Sequence, residues 1–398
     1  MIEVSEAQSV ILRHARPLPP QPVPLGPAAL GRVLAEDVAS DLDMPPYDKA
    51  MMDGYAVRAA DLTAGPRVLD VVEEITAGRT PTESVGPGQA ARIMTGAPLP
   101  TGADAVVMVE QCEAMDEAHV RVPRASAGQN IQPRARELRR GETVLSAGAV
   151  LRAQEVGLLA IVGRANVSAH PAPRVAVLAT GDELVEPDQT PGPGQIRNSN
   201  GPMLLAQVAA AGGLPYGLGI ARDDVEDLRR LVGEGLKSDV LLLSGGVSAG
   251  KLDLVPDVLR ESGVAAHFHK VRMKPGKPLF FGTRGDTLVF GLPGNPVSSF
   301  VCFELFVRPA LRRLRGFPAG PPAFVPLPLA ADSRYATDRP TYHPAKVELA
   351  GVGESVRPVP WHGSPDLRAL TAADALVLFP AGDNAHRAGE PVPVLRLP

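Results

Sequence analysis

The sequence has little of two residue types that mark particular classes of protein. Its 398 residues include two cysteines, Cys112 and Cys302, which cannot build a disulfide framework or a four-sulfur metal site. So few thiols fit a protein of a reducing compartment. Aromatic residues make up 4% of the chain, which argues against a base-stacking platform for single-stranded nucleic acid.

The sequence also lacks a large excess of charge and long apolar runs. A formal net charge of −4 at pH 7 gives no general attraction to nucleic acid or to a membrane surface. No apolar run approaches the roughly 20 residues that span a bilayer, and Glu3 and Glu6 do not fit a signal peptide. We therefore expect a soluble, cytoplasmic protein with neither nucleic acid nor membrane as a partner.

The chain does have abundant proline and glycine and enough length for several domains. With 398 residues we expect two to four domains, and 42 prolines and 40 glycines predict many short strands and turns. We expect a helix over residues 4–16, and short strands from 45 to about 123. Residues 128–168 show the same pattern of short strands, with strands expected at 143–150 and 165–167. A small β domain near the end would contain strands at 325–329, 356–359 and 392–395.

Strands and helices alternate between about 171 and 318. Short apolar runs at 174–180 and 240–243 are typical of strands buried on both faces. Further strands are expected at 217–220, 265–273, 279–281 and 288–290. Helices are expected from Pro202 to 211, over 224–236 and 255–262, and after Asn295 as the cap. Units of this βαβ type predict an α/β domain with a mostly parallel sheet.

Polar residues follow the predicted central strands. Residues 180–183 follow the first strand, 222–224 the second, 244–250 and Asp253 the third, and 291–296 the last. Ligands of doubly wound sheets bind beyond the carboxyl ends of the strands. We therefore predict that one cleft receives all four loops.

The loop at 244–250 is rich in glycine. Gly245 and Gly246 allow backbone N–H groups to approach an anion such as phosphate, and Ser248 lies in the same loop. The loop has neither the Walker A pattern nor the GxGxxG pattern. An ordinary strand-to-helix turn therefore stays open as the alternative.

Four acidic residues of these loops are candidates for Mg²⁺ binding: Asp182, Glu183, Asp223 and Asp253. Mg²⁺ usually binds one or two carboxylates together with waters and substrate phosphates. For Asp223 alone, capping of the following helix is the favoured interpretation. Glu183 and Asp253 lie in glycine-flanked loops, where a functional role is at least as good an interpretation.

Basic residues alternate along residues 268–274. A strand would place Phe268, Lys270, Arg272 and Lys274 on one face, and Lys277 follows shortly afterwards. Several cations on one face predict a polyanionic ligand, and a solvated edge strand is the alternative. The eight histidines show no metal-ligand spacing and are interpreted as structural.

Seven motifs that cover nearly the whole chain resemble one family. In chain order they are PPYDKAMMDGYAVR, RIMTGAPLPTGADAVV, TGDELV, GQIRNSN, SGGVSAGKLDLV, MKPGKP and GLPGNPVS. Together they are similar to the molybdopterin molybdotransferases, the MoeA and gephyrin E-domain family. TGDEL or SGGVS alone also resembles pterin-adenylylating and competence-damage-type domains. The first two motifs together with GLPGNPVS are far more specific.

The resemblance implies an elongated multidomain homodimer. An elongated N-terminal domain would comprise 1–40 and 128–170, with a small β domain inserted at 41–127. A three-layer αβα molybdopterin-binding domain would follow at 171–318, and a β-barrel-like domain at 319–398. The cleft would combine the central domain of one subunit with the inserted domain of the other.

The resemblance also implies an activity and a site. The protein would be a Mg²⁺-dependent transferase that inserts molybdate into adenylylated molybdopterin and releases AMP. Catalytic positions would be Asp53, Thr95, Glu183, Asp223 and Asp253, with Glu183 and Asp253 at the metal. The ligand would contact Lys270, Lys274, Pro293, Pro296 and Ser364. To these we add Gly245, Gly246, Ser248 and Lys277 from the glycine-rich loop and the basic segment. A molybdopterin adenylyltransferase and cofactor-accepting molybdoenzymes would be transient partners.

Three positions depart from the family pattern. Glu137 stands where many members carry aspartate, Pro344 replaces an arginine although Arg339 and Lys346 lie nearby, and the usual GSG turn has the sequence GSP at 363–365. Two alternatives to the transferase stay open. One is an enzyme like the molybdopterin adenylyltransferases, and the other is a non-catalytic pterin carrier or scaffold.

Overall fold

The structure, a computed structural model, describes residues 1–246, 254–350 and 353–398. They form two compact units. The first unit consists of Met1–Val23, Ala29–Ala35 and Ser168–Pro398, and the second of Pro24–Ala28 and Glu36–Val167. The chain therefore starts in the first unit, enters the second briefly at residues 24–28, builds most of it over 36–167, and returns to the first at residue 168.

Most helices of the described residues belong to the first unit. They are α1 (Val4–His14), α2 (Ala153–Ile161), α3 (Asn200–Ala210), α4 (Val225–Gly235), α5 (Val255–Glu261), α6 (Pro296–Cys302), α7 (Arg308–Leu314) and α8 (Leu367–Thr371), with a π-helical turn at Phe303–Val307. Predicted helices at α1, α3, α4, α5 and α6 are confirmed to within a few residues. None of the helices in the described ranges is long and apolar enough to cross a membrane.

Helix α2 corrects the expectation that residues 128–168 contain only strands and turns. Its sequence is rich in alanine and leucine, which favour helices. The Glu155 carboxylate accepts the backbone N–H of Arg152 at 2.9 Å and so closes a capping box at the helix start. These local signals outweigh the surrounding prolines and glycines.

The second unit is built around a mixed sheet. Strands up to residue 169 are β1 (Gln21–Pro24), β2 (Val38–Ala39), β3 (Lys49–Ala50), β4 (Gly54–Val57), β5 (Arg67–Ile75), β6 (Gln89–Ile93), β7 (Ala105–Met108), β8 (Glu113–Ala114), β9 (His119–Val122), β10 (Ile131–Gln132), β11 (Thr143–Leu145) and β12 (Asn166–Ala169). The six-stranded sheet has the order β7-β4-β6-β5-β9-β8. Tyr55 and Val57 of β4 enter one apolar core and Ala56 enters another, so both faces are covered.

The first unit contains the predicted α/β sheet. Its central region has the strands β13 (Arg174–Thr180), β14 (Leu184–Val185), β15 (Ile196–Arg197), β16 (Leu214–Ala221), β17 (Val240–Ser244), β18 (Ala265–Lys270), β19 (Pro278–Arg284) and β20 (Thr287–Leu292). Six of them form one sheet in the order β16-β13-β17-β20-β19-β18. The first four are parallel and the last two antiparallel. The mostly parallel sheet is therefore confirmed.

Alternate residues of the central strands enter two separate cores. Val175 and Val177 of β13 belong to one core, together with residues of α3 and α6. Ala176 and Leu178 belong to the other, together with residues of α4 and α5. Both faces of the sheet are therefore covered, which explains the continuous apolar runs of these strands.

The basic strand differs from its prediction. Strand β18 ends at Lys270 instead of residue 273, and its register with β19 shifts twice between Ala266 and Lys270. Such irregularities break the strict alternation of side chains. Phe268 is buried in the core whereas Lys270 is exposed, so the expectation that Phe268 shares a face with the cations is wrong. The exposed Lys270 and Lys274 still alternate with the buried Val271 and Met273.

The C-terminal part of the first unit is a β structure, as expected. Its strands are β21 (Val325–Pro328), β22 (Ser333–Thr337), β23 (Thr341–Ala350), β24 (Gly353–Pro358), β25 (Ala375–Phe379), β26 (Gly382–His386) and β27 (Pro391–Arg396). Five form an antiparallel sheet in the order β21-β27-β25-β23-β24, and β22 pairs with β26. The sequence prediction located only β21, β24 and β27.

Candidate functional site

A cavity of about 770 Å³ lies at the carboxyl edge of the parallel strands. Thr180 ends β13 and Ser244 ends β17, and both residues line the cavity. Strands β16 and β17 lie on opposite sides of β13, so the cavity is next to the switch point where doubly wound sheets bind ligands. Its volume suits a ligand of nucleotide size.

Two glycines shape the floor of the cavity. Gly245 and Gly246 have φ angles of +95° and +62°. A Cβ atom on Gly245 would lie 2.6 Å from the carbonyl oxygen of Thr180, and one on Gly246 would lie 2.8 Å from Thr180 Oγ1. Glycine is required at both positions for the turn and for the close approach. Of the two, Gly245 lines the cavity.

Asn200, at the start of α3, connects two loops of the cavity. Its Nδ2 atom donates to Ser244 Oγ at 2.8 Å and to the carbonyl oxygen of Gly294 at 2.7 Å. Asn200 and Ser244 are 8% and 3% exposed, and hydrogen bonds shielded from water hold their partners firmly. The prediction began this helix at Pro202 and missed Asn200, although it lies within the GQIRNSN motif.

One wall of the cavity carries Lys274 and Lys277. The backbone N–H of Lys274 donates to the carbonyl oxygen of Pro340 at 2.9 Å, and its carbonyl oxygen accepts from the N–H of Tyr342 at 2.8 Å. Gly276 packs so closely on Cys302 that a Cβ atom would lie 2.5 Å from the sulfur. The backbone of this wall is therefore held in place while both lysine side chains stay exposed.

A second wall comes from the C-terminal part of the first unit: Arg339, Trp361, Ser364 and Pro365 line the cavity. Asp338 orients the Arg339 guanidinium, whose Nε donates to Asp338 Oδ1 at 2.9 Å. Arg339 thus brings a cation to the cavity, whereas Pro344 lies in β23 and is not a lining residue. Lys346 instead pairs with Asp374 at 3.5 Å.

Asn295 joins the second wall to the loop after β20. It was predicted to cap the following helix, but its side chain makes no capping hydrogen bond. Asn295 Nδ2 donates instead to Ser364 Oγ at 3.0 Å. The backbone N–H of Val297 also donates to the carbonyl oxygen of Ser364 at 3.1 Å. These two bonds place Ser364 at the cavity.

Among the described residues, Glu183 is the carboxylate that lines the cavity. Its side chain folds back over Gly181, where a Cβ atom would lie 2.7 Å from Glu183 Cδ. Glu183 makes no ion pair within the described ranges. One carboxylate beside bound phosphates fits Mg²⁺, which keeps several waters and substrate oxygens as ligands. In the part of the chain that the structure describes, no three His, Cys, Asp or Glu residues are arranged to hold a metal ion by themselves.

Asp53 and Thr95 are brought together in the second unit. The backbone N–H and the Oγ1 hydroxyl of Thr95 donate to Asp53 Oδ1 at 2.7 Å and 2.8 Å. The backbone hydrogen bond and, after it, the hydroxyl hydrogen bond lower the pKa of Asp53 below its usual value. Asp53 is therefore an ionised carboxylate, as an acidic site residue requires.

Seven predicted site residues line the one cavity: Glu183, Gly245, Lys274, Lys277, Pro293, Pro296 and Ser364. Ser248 and Asp253 lie outside the described residues.

Three predicted site residues, Gly246, Lys270 and Asp223, do not line the cavity. Gly246 packs on Thr180, and Lys270 ends the edge strand. Asp223 is not the helix cap either, because Asp224 accepts the N–H of Asp227 at 2.8 Å.

The fold and the site together define a class of protein: a multidomain α/β protein whose doubly wound sheet carries a cation-lined cavity for an anionic ligand. Three family models match the chain. They are the MoeA N-terminal region (domain I and II) at residues 2–163, a probable molybdopterin binding domain at 176–313, and the MoeA C-terminal region (domain IV) at 326–397. The chain belongs to the MoeA family.

Individual relatives agree with this assignment over nearly the whole chain. A molybdopterin molybdenumtransferase of Staphylococcus aureus is 35% identical and is aligned over 99% of this chain and 95% of its own length. A protein of the same name from a Nostoc species is 38% identical, with 93% and 87% covered. A molybdopterin biosynthesis MoeA protein from Pyrococcus horikoshii has a crystal structure that is 32% identical, with a TM-score of 0.85 and coverage of 100% and 99%.

Proposed function

We propose that the protein is a molybdopterin molybdenumtransferase, which inserts molybdate into adenylylated molybdopterin and releases AMP. The observation that carries the proposal is the cavity in which Glu183 lies together with Lys274, Lys277 and Arg339. A cation-rich cavity of about 770 Å³ suits a phosphate-rich ligand of this size. The curated relatives that bear this name support the same activity.

Each wall has its own part in binding. Lys274 and Lys277 would bind the phosphates and the molybdate oxyanion through charge-assisted hydrogen bonds. Arg339, whose Nε and Nη2 atoms pair with Asp338, would add the donors of its Nη1 atom from the second wall. Gly245 would offer backbone N–H groups without a side chain in the way. Pro293, Pro296 and Ser364 would shape the pocket around the ligand.

Mg²⁺ would be held by Glu183 together with Asp253, water and substrate phosphates. When bound, it would polarise the pyrophosphate linkage that water cleaves to give AMP. The chain's own residues would hold the ligand so that the dithiolene sulfurs and molybdate meet in one orientation. In this reaction molybdate is the substrate: two of its four oxygens would leave as water, with protons from the two thiols and from solvent, as the two Mo–S bonds form.

A homodimer would complete the cleft by adding Asp53 and Thr95 of a second subunit. The residues next to them in the chain support an interface, since Met51, Met52 and Met94 are 49%, 41% and 37% exposed. Exposed large apolar side chains that are grouped in this way mark association surfaces.

Subunit complementation tests the shared cleft. We would combine Asp53→Ala and Glu183→Ala chains, each inactive alone. A mixed dimer has one intact cleft if clefts are shared, so random mixing restores about a quarter of wild-type activity. No activity in the mixture would contradict the shared cleft.

The activity itself is tested by following AMP release from adenylylated molybdopterin while molybdate is titrated. We expect molybdate-dependent release by the wild-type protein and its loss in Glu183→Ala, with Lys346→Ala as the matched control outside the cavity. Consumption of ATP with molybdopterin would instead indicate an adenylyltransferase. Cofactor transfer that survives Glu183→Ala and Asp53→Ala would indicate a non-catalytic carrier.

The finer organisation belongs to the same proposal. We propose the four domains at 1–40 with 128–170, 41–127, 171–318 and 319–398. The third would be a three-layer αβα domain, which is supported by its two cores on opposite faces of the sheet. The enzyme would work in the cytoplasm, without nucleic acid or membrane. It would meet a molybdopterin adenylyltransferase and cofactor-accepting molybdoenzymes transiently.

A further inference from the structure

We propose that Arg222 is a positioning residue that fixes the direction of the Glu183 carboxylate in the cavity. This inference rests on the proposed function, in which Glu183 acts at the phosphates. Arg222 follows β16 and does not line the cavity. Its guanidinium donates hydrogen bonds to the backbone of the loop that contains Glu183. Any effect of Arg222 on the reaction therefore passes through the backbone of the loop that carries Glu183.

The hydrogen bonds of Arg222 flank Glu183. Its Nη1 atom donates to the carbonyl oxygen of Asp182 at 3.2 Å and to that of Leu184 at 3.1 Å. The carbonyl oxygen of Glu183 between them accepts from the N–H of Ile196 at 2.7 Å. Three successive carbonyl groups are thus held. Because the peptide planes on both sides of the Glu183 Cα are fixed, the direction of its Cα–Cβ bond is fixed as well.

Arg222 is itself held in place by its neighbours. Its backbone N–H donates to Asp227 Oδ2 at 3.2 Å, and the next N–H, of Asp223, donates to Asp182 Oδ1 at 3.1 Å. Within the described ranges, Arg222 has no carboxylate at ion-pair distance. Its guanidinium donates to the two carbonyl oxygens, and the predicted site residue Asp223 contributes its backbone N–H.

Gly181 also bounds the space that the Glu183 carboxylate occupies. The carboxylate lies over Gly181, whose φ is +142°, and a side chain at position 181 would occupy its place. Arg222 sets the backbone from which the Glu183 side chain projects, and Gly181 leaves the space that its carboxylate occupies. An Arg222→Gln chain keeps most of the loop's other hydrogen bonds but loses this control.

The first test compares Arg222→Gln with Arg222→Lys and with Arg229→Gln as the matched control. Arg229 also belongs to this region but pairs with Glu261 at 2.8 Å outside the cavity. We expect Arg222→Gln to lower the kcat of AMP release about 10- to 100-fold, as loss of a supporting partner does. Arg222→Lys should restore part of the rate, because its ammonium can still donate to one or both carbonyls. Arg229→Gln should behave as wild type.

Two readouts separate positioning from a merely structural role. The fluorescence of Trp361, the single tryptophan of the chain, reports ligand binding from the cavity wall. Without added Mg²⁺, the Kd for adenylylated molybdopterin should change less than about threefold in Arg222→Gln, because its effect is on the reacting centre. A merely structural role would instead lower Tm and weaken binding in parallel with the rate.

A double-mutant cycle tests whether Arg222 acts through Glu183. In a Glu183→Gln background, Arg222→Gln should add little further loss, because the group that it positions is already gone. Full wild-type kcat in Arg222→Gln, or additive losses in the double variant, would overturn the inference. If wild-type protein released no AMP at all, the proposed function would fail instead, and that outcome is seen before any variant is compared.

Discussion

Replacing Lys274 with alanine perturbs the anion-binding wall with little effect on its backbone. Pro340 and Tyr342 hold the backbone of residue 274 through hydrogen bonds of 2.9 Å and 2.8 Å, and the side chain is exposed in the cavity. A hydrogen bond to a charged group contributes about 1.5–3 kcal/mol. Solvent screening at an exposed lysine reduces this to about 1–2 kcal/mol. The Kd for adenylylated molybdopterin should therefore rise about 5- to 30-fold.

The assay is a fluorescence titration of Trp361, which lines the same cavity. Lys346→Ala is the matched control, because Lys346 pairs with Asp374 at 3.5 Å and is not a lining residue. Raising the salt concentration should weaken binding by the wild-type protein more than by Lys274→Ala, since one screened charge is missing. Equal affinities of wild type and Lys274→Ala, or equal weakening by both substitutions, would refute the assignment of this wall to the anion.

Three further predictions concern stability. Glu304→Ala removes the carboxylate that pairs with the largely buried Arg308 at 2.5 Å. Urea denaturation should show a free energy of unfolding about 3–5 kcal/mol lower than that of the wild type. The loss should be smaller in Glu304→Gln. Gly54→Ala would push a Cβ atom against the carbonyl oxygen of Val107. Calorimetry should show about 1–3 kcal/mol of destabilisation in the second unit. Burial lowers the pKa of His343 below 6.5. At a pH just below 6.5, the His343 side chain is therefore protonated in the unfolded chain but still neutral in the folded chain. The free energy of unfolding should fall as the pH drops below about 6.5, and less so in His343→Leu.

The central sheet was predictable because its strands are buried on both faces. Their residues, as in β13 and β17, form continuous apolar runs that few other elements show. Helix α2 was missed because prolines and glycines nearby predicted strands and turns, although its own residues favour a helix. Strand β18 was predicted too long because its register shifts are set by pairing with β19, which a local pattern does not reveal.

The site was predictable where it follows the ends of strands. Glu183 and Gly245 come directly after β13 and β17, so the topology of the sheet brings them together. Arg339 and Trp361 reach the cavity from the C-terminal part of the chain through long-range contacts, and no local pattern marks them. Asn200 lies within the GQIRNSN motif, but the motif does not show that its side chain bonds to Ser244 and Gly294. The cap of α4 moved by one residue, from Asp223 to Asp224, because the backbone conformation at the helix start decides which carboxylate can reach the N–H groups.

A crystal structure with adenylylated molybdopterin, molybdate and Mg²⁺ bound would test most directly whether the cavity of the first unit is the reaction site. The predicted result is a ligand whose phosphates lie within hydrogen-bond distance of Lys274 or Lys277, with the Glu183 carboxylate next to the bound Mg²⁺. A ligand bound elsewhere, with these three side chains untouched, would contradict it.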